Sequence, residues 1–289
     1  MEEIKKITID SKDYPKSLKE IANPPKVLYF KGNIKIDKPC FAVVGTRRCS
    51  FYGKQITLEI TDDLAEAGVV IVSGLAPGID TSAHQSVVEK GKRTIAVLGT
   101  GLDEKSIYPK ENIKLSRKII ELEGCLISEY PPGTPGSRFT FPQRNRIISG
   151  LSNGVLVVEA KEKSGALITA NYAFSQKRKV FAIPGSIYSL NSAGPHNLIK
   201  KGAKLVDNAN DILPELNLPS RNASYCVTVG PQFPEENLIL NALKEKPLYL
   251  DKIIEKTKLD AARIASILTI LEMKGKIKNL GRNTYALSR

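Results

Sequence analysis

The sequence predicts a doubly wound α/β fold with a mostly parallel, extended Rossmann sheet, followed by a small C-terminal winged-helix domain. Seven short apolar runs follow one another between residues 41 and 208, and segments with helical periodicity separate most of them. Runs that are apolar throughout are typical of strands buried on both faces of a parallel sheet. A Pro-rich stretch then ends this rhythm, and three helical patterns with a terminal hairpin follow it.

The domain boundaries follow from these changes of pattern. The chain has 289 residues, more than one average domain holds, so we expect one large and one small domain. Residues 1–38 mix short apolar pieces with turn residues and are predicted to be an N-terminal lead-in segment. Residues 39–213 are predicted to form the extended Rossmann domain, 214–234 a linker, and 235–289 the winged-helix-like domain.

The strands of the Rossmann domain are predicted from composition, because each apolar run ends in Gly, Pro or polar residues. The runs are FAVVG (41–45), VVIVSG (69–74), RTIAVLG (93–99), GCLISEY (124–130), GVLVVEA (154–160), KVFAIPG (179–185) and AKLVDN (203–208). Between the first two, Ile56, Ile60, Leu64 and Ala67 recur at helical spacing, and Gly68 ends the predicted helix.

The C-terminal unit reads as three helices and a hairpin. The helical stretches are EENLILNALKEKP, YLDKIIEKTKL and DAARIASILTILEMKGKI, and two short strands surround residues 281–283. The third helix carries only Arg263 and Lys274 as cations, which is poor for reading a major groove. The predicted wing adds Lys276, Lys278 and Arg282. DNA binding through the wing and binding of a protein partner are both consistent with this unit.

Composition restricts the class of protein and partner. The net charge is +13, from 43 basic and 30 acidic residues, which favours nucleic acid, an anionic membrane or an acidic protein as partner. No apolar run approaches the roughly 18 residues that span a bilayer, and the N-terminus lacks the apolar core of a secretory signal. Four scattered cysteines, no CxxC pair and two histidines predict reduced thiols in the cytoplasm, with no metal site and no cofactor.

A basic, aromatic segment, SRFTFPQRNRIISGLS (137–152), is unusual because no Asp or Glu stands between Tyr130 and Glu159. The segment contains Arg138, Phe139, Phe141, Arg144, Asn145 and Arg146. Bases of single-stranded nucleic acid stack on exposed rings, and Arg binds the phosphates. The alternative is that the rings belong to the core; if the segment is extended, both rings share one face, and we expect only one to be exposed. The residues from Arg144 to Arg146 begin a helix and either shape a pocket or touch the strand.

Two strand-to-helix turns carry further candidates. AVVGTRRCSFYG supplies Gly45, Thr46, Arg47 and Arg48 where a dinucleotide fold would carry G-x-G-x-x-G. Its two arginines suggest a phosphate ligand held by charge, the alternative being a solvated pair on a surface loop.

The second turn, SGLAPGIDTSAH (73–84), supplies Ser73, Gly74 and Gly78, which form either a second wall of an anion pocket or only a tight turn. Lys177, Arg178 and Lys179 cluster before a later strand. They either add cations to the same edge of the sheet or simply decorate a helix C-terminus. Because ligands bind at the carboxyl ends of parallel strands, we expect all these loops to converge on one edge.

Several catalytic signatures are missing. Ser73 is not in a G-x-S-x-G turn, and Asp80 stands only four residues from His84, so the sequence argues against a hydrolase triad. Gly99-x-Gly101 is a partial nucleotide fingerprint, and no Walker A motif occurs. No catalytic residue is predicted.

In order and spacing, these motifs resemble the DNA-processing protein A family, also called Smf. The matching stretches are YPKSLKEIANPPKVLYFKG, VGTRR, SGLAPGIDTSAH, FPQRNRIISGLS and EAKEKSGALITANYAFSQKRKVFAIPG, which together span nearly the whole chain. The resemblance implies an extended Rossmann fold that binds single-stranded DNA in a basic pocket. It also implies a homodimer that protects incoming DNA and hands it to the RecA recombinase during natural transformation.

The resemblance also assigns roles to residues. Arg47 would contact a phosphate, Arg138 and Phe141 would be the cation and the stacking ring, and the Lys177–Lys179 cluster would supply another cation. Many members of the family begin with a longer helical domain, whereas here the Tyr14-Pro15 segment starts almost at once. The C-terminal unit varies within the family, so the resemblance implies no definite role for residues 235–289.

The favoured function is therefore a non-enzymatic, single-stranded-DNA-binding recombination mediator. The predicted contacts are Gly45, Thr46, Arg47, Arg48, Ser73, Gly74, Gly78, Arg138, Phe141, Arg144, Asn145, Arg146, Lys177 and Lys179. One alternative is a nucleotide or nucleoside-phosphate hydrolase with Glu159 as general base, related to lysine-decarboxylase-like phosphoribohydrolases, whose P-G-G-x-G-T-x-x-E signature is missing. Another is a scaffold whose basic edge binds acidic proteins.

Overall fold

The structure is a computed structural model that describes residues 3–220, 234–273 and 275–288. The chain divides into two compact units, Met1–Ser220 and Arg221–Arg289. The first holds a nine-stranded, mostly parallel sheet and the second a three-stranded sheet with helices. The predicted fold class is confirmed.

The elements of the first unit alternate as the sequence predicts from residue 40 onward. In chain order they are β1 (Lys5–Thr8), α1 (Lys16–Lys19), β2 (Val27–Gly32), β3 (Cys40–Val44), α2 (Phe51–Glu66), β4 (Val70–Ser73), α3 (Ile79–Glu89), β5 (Thr94–Leu98), α4 (Ile113–Glu121), β6 (Cys125–Ser128), α5 (Thr140–Leu151), β7 (Gly154–Val157), α6 (Gly165–Ser175), β8 (Lys179–Ala182), α7 (Ala193–Lys200) and β9 (Lys204–Leu205). Each of the seven apolar runs contains a strand, so these predictions are confirmed.

The strand order is β1-β2-β6-β5-β4-β3-β7-β8-β9. From β6 to β9 the neighbours are parallel, while β2 pairs antiparallel with β6 and β1 antiparallel with β2. The lead-in segment thus contributes two strands to the main sheet, and it lies in the same compact unit. Neither strand was predicted from the sequence.

Both faces of the central strands β3 to β7 are buried, which explains why their runs are apolar throughout. In β3, Ala42 and Val44 pack into a cluster with residues of α5 and α6, whereas Phe41 and Val43 pack into a second cluster with residues of α2 and α3. Successive side chains of a strand point to opposite faces, so a strand covered on both sides needs apolar residues at every position.

The start of the predicted linker belongs to the first unit. Leu213–Leu216 forms a short 3-10 helix, and Leu213 and Leu216 are buried in the cluster that includes Phe41. Residues 221–233, which hold most of the predicted linker, lie outside the described residues.

The second unit has the predicted three helices and hairpin. Its elements are α8 (Pro234–Ala242), β10 (Leu248–Tyr249), α9 (Leu250–Thr257), α10 (Ala261–Met273), β11 (Ile277–Asn279) and β12 (Thr284–Leu287). The short β10 was not predicted and pairs with β12. The core is aliphatic and includes Ile239, Ile253, Ile264 and Leu268. On the third helix, Arg263 forms an ion pair with Glu235 (3.0 Å), and Lys274 lies outside the described residues.

Within the described ranges, no helix is both long and apolar enough to cross a membrane.

A buried histidine in α3 makes the stability of the first unit depend on pH. His84 is fully buried, and its Nδ1 donates to Thr94 Oγ1 (2.8 Å), which in turn donates to the Ile71 carbonyl oxygen (2.7 Å). Burial lowers the pKa of His84 to about 3. The unfolded chain takes up this proton near pH 6.5, so stability is full above pH 6.5 and falls as the pH drops towards 3.

We expect this one group to reduce the free energy of unfolding by about 2 kcal/mol between pH 7 and pH 5, as measured by urea unfolding. His84→Asn retains a donor near the Nδ1 position and removes the titration, so its loss over the same interval is expected to be smaller by that amount. Parallel losses in the two proteins would contradict the assignment.

Candidate functional site

The sheet has a topological switch point at β3 and β7. From β3 the chain builds β4, β5 and β6 on one side, and it then returns to place β7, β8 and β9 on the other. Ligands of open α/β sheets bind in the crevice at the carboxyl ends of the strands at such a point. A groove of about 670 Å³ lies there, between the loops that follow β3, β6 and β7. We call it the carboxyl-edge groove.

The carboxyl-edge groove is strongly basic. Among the described residues that line it, the basic side chains are Arg47, Arg48, Arg138, Arg144, Lys161 and Lys163, and the one acidic side chain is Asp80. All of these cations except Arg144 are exposed. The excess of charge over a small area attracts anions such as phosphates.

Two of these cations, Lys161 and Lys163, were not named by sequence analysis. They stand in the EAKEKSG loop directly after β7, ahead of α6. The available signal was their position, since β7 is one of the two strands at the switch point. Ser164 and Gly165 open α6: Ser164 Oγ accepts from the Ala166 amide (3.3 Å), and both residues line the groove.

Arg144 forms the floor of the groove. Its Nη1 donates to the carbonyl oxygens of Gly74 (2.8 Å) and Val97, and its Nε donates to Asn145 Oδ1 (3.1 Å). The Gly74 amide donates to Asp80 Oδ2 (3.1 Å), so the peptide around Gly74 bridges the buried arginine and the buried carboxylate. Burial lowers the pKa of Arg144 to about 10 and raises the pKa of Asp80.

A side chain at position 74 has no room in this arrangement. A Cβ on Gly74 would lie 2.6 Å from both Arg144 Nη2 and Asp80 Oδ2. Arg144 and Gly74 therefore set the shape of the groove, and Arg144 is not a freely exposed cation. This refines the prediction that placed both among the contacts.

The Arg47 loop is held from behind by backbone contacts. The Thr46 amide donates to the Glu159 carbonyl oxygen (2.7 Å), and the Ile79 amide donates to the Thr46 carbonyl oxygen (3.2 Å). Gly78 has a φ of 82°, and a Cβ there would lie 2.3 Å from the Thr46 carbonyl oxygen. Gly78 thus lets the start of α3 approach the loop, while the side chains of Arg47 and Arg48 point outward and are exposed.

Phe141 lies half-buried in the wall of the groove. The Arg47 guanidinium carbon is 5.4 Å from the Phe141 ring centroid, a cation–π distance, and the Tyr108 ring centroid is 5.7 Å away. The ring needs two glycines beside it, because a Cβ on Gly99 or Gly136 would lie 2.9 Å or 2.5 Å from a ring carbon. No role was predicted for Tyr108 from the sequence.

The two rings of the basic segment differ as expected, but for another reason. Phe139 is 68% exposed and lies next to the Arg138 guanidinium (4.8 Å to the ring centroid), whereas Phe141 is half-buried. One exposed ring is what we predicted. The segment is not extended, however, as strand alternation would require, because α5 already begins at Thr140.

Two predicted contacts face away from the groove. Ser73 is fully buried, and its hydroxyl donates to the Val43 carbonyl oxygen (2.6 Å). Arg146 is buried in a pair with Glu129 (2.6 Å) and donates to the Asn23 carbonyl oxygen (3.0 Å). Residues two apart on a helix do not share a face, so the Arg146 side chain points away from the groove and that of Arg144 points into it.

The predicted position of the Lys177–Lys179 cluster is wrong. Lys179 is the first residue of β8 and pairs in register with Gly154, the first residue of β7. The cluster therefore lies at the amino ends of the strands, opposite the groove, because α6 runs back across the sheet before β8 begins. Lys179 is also paired with Glu215, and Lys204 shares that carboxylate at 2.9 Å.

Glu159, the general base of the hydrolase alternative, has a structural role in which its carboxylate accepts hydrogen bonds from Ser50. It is buried, and its carboxylate accepts from the Ser50 amide (2.8 Å) and the Ser50 hydroxyl (2.5 Å) at the start of α2. Ser73 and His84 donate to Val43 and Thr94, so the rejected triad does not form.

Comparison with known proteins agrees with this architecture. The family model of DNA recombination-mediator protein A matches residues 5–217, and that of the DprA winged helix domain matches residues 231–281. The DNA processing protein DprA of Bacillus subtilis is 46% identical over 224 residues, covering 77% of this chain and 74% of that protein. Protein Smf of Escherichia coli is 39% identical over 282 residues, covering 94% and 74%.

Solved structures give the same result. The X-ray structure of DprA from Streptococcus pneumoniae superposes with a TM-score of 0.69 at 45% identity, covering 74% of each chain. A structure of DprA from Helicobacter pylori, described for its single-stranded DNA binding mode, superposes with a TM-score of 0.65 at 32% identity, covering 75% of this chain and 97% of that one.

Proposed function

The chain belongs to the family of DNA recombination-mediator protein A, and from this premise we propose that it binds single-stranded DNA in the carboxyl-edge groove. One observation carries the proposal: five exposed cations and a half-buried aromatic ring line the groove, and the one acid among the described residues that line it is buried behind the floor. The structure described for the Helicobacter pylori protein supports the choice of ligand.

The roles of the side chains follow from their exposure. Arg47, Arg48 and Lys161 are free to approach phosphates at the rim of the groove. The amino end of α6 at Gly165 adds backbone N–H groups and a positive helix dipole, which favour a phosphate. Phe141 offers a ring to a base that enters between them. Arg144 holds the floor and contributes its charge from a fixed position.

This geometry favours single strands over duplex. A ring in the wall of a groove can stack only on a base that is free to leave its neighbours, and stacking contributes about 1–3 kcal/mol per base. In a duplex the bases are already stacked and paired, and the rim cations would meet phosphates alone. Binding is therefore expected to be tolerant of sequence but selective for strandedness.

The proposed biological role is that of a mediator and not of an enzyme. In this proposal a cytoplasmic homodimer protects incoming single strands during natural transformation and hands them to the RecA recombinase. The description of the family as recombination mediators supports this role. The engaged carboxylate of Glu159 removes the side chain on which the hydrolase alternative depended.

The test is a titration of single-stranded and duplex oligonucleotides across a range of salt, with the mass of the protein measured in the same samples. We expect tighter binding of the single strand and a slope of log K against log salt near −3.5, about −0.7 for each exposed cation that neutralises a phosphate. A homodimer gives twice the chain mass. Added RecA is expected to assemble faster on strands that carry this protein.

Equal affinity for duplex and single strand, or binding that salt does not weaken, would contradict the proposed ligand. A monomeric mass or an unchanged rate of RecA assembly would contradict the mediator role and leave the ligand in place.

A further inference from the structure

Two segments that a hydrogen bond joins expose large apolar side chains beside the groove. In the loop after β8, Ile187 is 80% exposed, Tyr188 91% and Leu190 72%. At the start of α2, Phe51 is 58% exposed and Tyr52 49%. We call these five residues the aromatic shelf. None of the five lines the carboxyl-edge groove.

Hydrogen bonds fix the shelf to the walls of the groove. Tyr52 Oη donates to the Pro184 carbonyl oxygen (2.8 Å), which joins the first turn of α2 to the loop after β8. At the other end of that loop, Asn191 Nδ2 donates to the Arg48 carbonyl oxygen (3.4 Å), and the Ala160 amide donates to the Asn191 carbonyl oxygen (2.7 Å). The shelf therefore continues the surface that begins at Arg48.

We propose that the aromatic shelf is a second subsite for single-stranded DNA, which stacks the bases of nucleotides that leave the carboxyl-edge groove past Arg48. The inference rests on the proposed function and extends it. Arg48 lies where the two sites meet and neutralises a phosphate between them. Lys54, exposed and three residues after Phe51 on α2, provides a cation for the phosphate backbone beyond it.

The chemistry of the surroundings favours nucleic acid over a protein partner. No Asp or Glu occurs between Lys163 and Val206, so the loop lies in a stretch without negative charge. The most exposed member of the shelf, Tyr188, presents a ring, as do both members from α2. Exposed rings next to cations are the combination that binds single strands without sequence preference.

The test compares a short and a long oligothymidylate, of about 4 and about 16 nucleotides, because only the long one reaches beyond the groove. In Tyr188→Ala, we expect the long strand to bind about tenfold more weakly and the short strand to bind as in the unmodified protein. Tyr188→Phe is the matched control, since it keeps the ring and is expected to keep the affinity.

Tyrosine fluorescence gives an independent readout, because the chain contains no tryptophan and ten tyrosines. A base stacked on Tyr188 quenches its emission, so the quenching by the long strand is expected to shrink in Tyr188→Phe although its affinity is retained. The side chain is almost fully exposed, so neither substitution is expected to affect folding.

Three results would overturn the subsite. If Tyr188→Ala binds the long strand as tightly as the unmodified protein, and quenching is unchanged in Tyr188→Phe, the shelf does not bind DNA. It would then be a surface that binds a protein. Equal weakening of short and long strands would show an indirect effect on the groove. Failure of the unmodified protein to bind either strand would reject the proposed function itself, which the short strand reports separately.

Discussion

Replacing Arg47 with Ala is expected to weaken the binding of single-stranded oligonucleotide about 50-fold at moderate salt. A charge-assisted hydrogen bond to a phosphate contributes about 1.5–3 kcal/mol. Arg47 also lies over the Phe141 ring, so the substitution removes the cation next to the stacking surface. The slope of log K against log salt should become shallower by about 0.7.

Fluorescence anisotropy across salt measures both quantities. Arg117→Ala is the matched control: Arg117 is an exposed arginine on α4, paired with Glu104 (2.8 Å) and outside the groove. We expect it to leave the affinity within about twofold, since its charge is already paired and screened. Arg47 is exposed, so Arg47→Ala should unfold at the same urea concentration as the unmodified protein. A folded Arg47→Ala protein with unchanged affinity would refute the mapping of the site.

Replacing Arg144 with Met is expected to lower the free energy of unfolding by about 3–5 kcal/mol. The substitution keeps the length of the side chain but leaves Asp80 buried without its cation, and it removes the donor to the carbonyl oxygens of Gly74 and Val97. The effect differs in kind from that of Arg47→Ala, because it acts on stability first and on binding through the shape of the floor.

Urea unfolding measures the loss, and a double-mutant cycle with Asp80→Asn isolates the coupling. Asp80→Asn removes the stranded charge, so adding it to Arg144→Met should cost less than the sum of the single losses. Additive losses would show that the arginine and the carboxylate do not interact through Gly74. A loss below about 1 kcal/mol for Arg144→Met would show that the buried arginine is dispensable for stability.

The parallel part of the fold was predictable because a strand covered on both faces leaves a clear signal. The runs around Phe41 and Val155 are apolar at every position, and the sheet buries both of their faces. The lead-in strands left no such signal. β1 reads Lys-Lys-Ile-Thr and is mostly exposed at the edge of the sheet, so its strand character comes from pairing with β2 and not from its own composition.

The site was predictable only for residues in loops that follow strands, because ligands bind at the carboxyl ends of parallel strands. Loops that follow strands, such as those of Arg47 and Arg138, were placed at the carboxyl edge and line the groove. Lys179 is the first residue of its strand, so the same rule places it at the opposite, amino edge of the sheet. The direction in which Arg146 points depends on helical phase once the start of α5 is known.

Contacts between residues far apart in the sequence could not be predicted from it. The contact between Tyr108 and Phe141 joins residues from two loops, and no local pattern indicates it. The engagement of Glu159 by Ser50 likewise depends on how the loop after β7 meets the start of α2. Such contacts decide whether a carboxylate is available as a general base or is held in structural hydrogen bonds.

A crystal structure with an oligothymidylate tests most directly whether the carboxyl-edge groove holds single-stranded DNA. We expect a base against Phe141 and phosphates within hydrogen-bond distance of Arg47 and Lys161. A strand bound instead at the amino edge near Lys179, or only on the C-terminal unit, would contradict it.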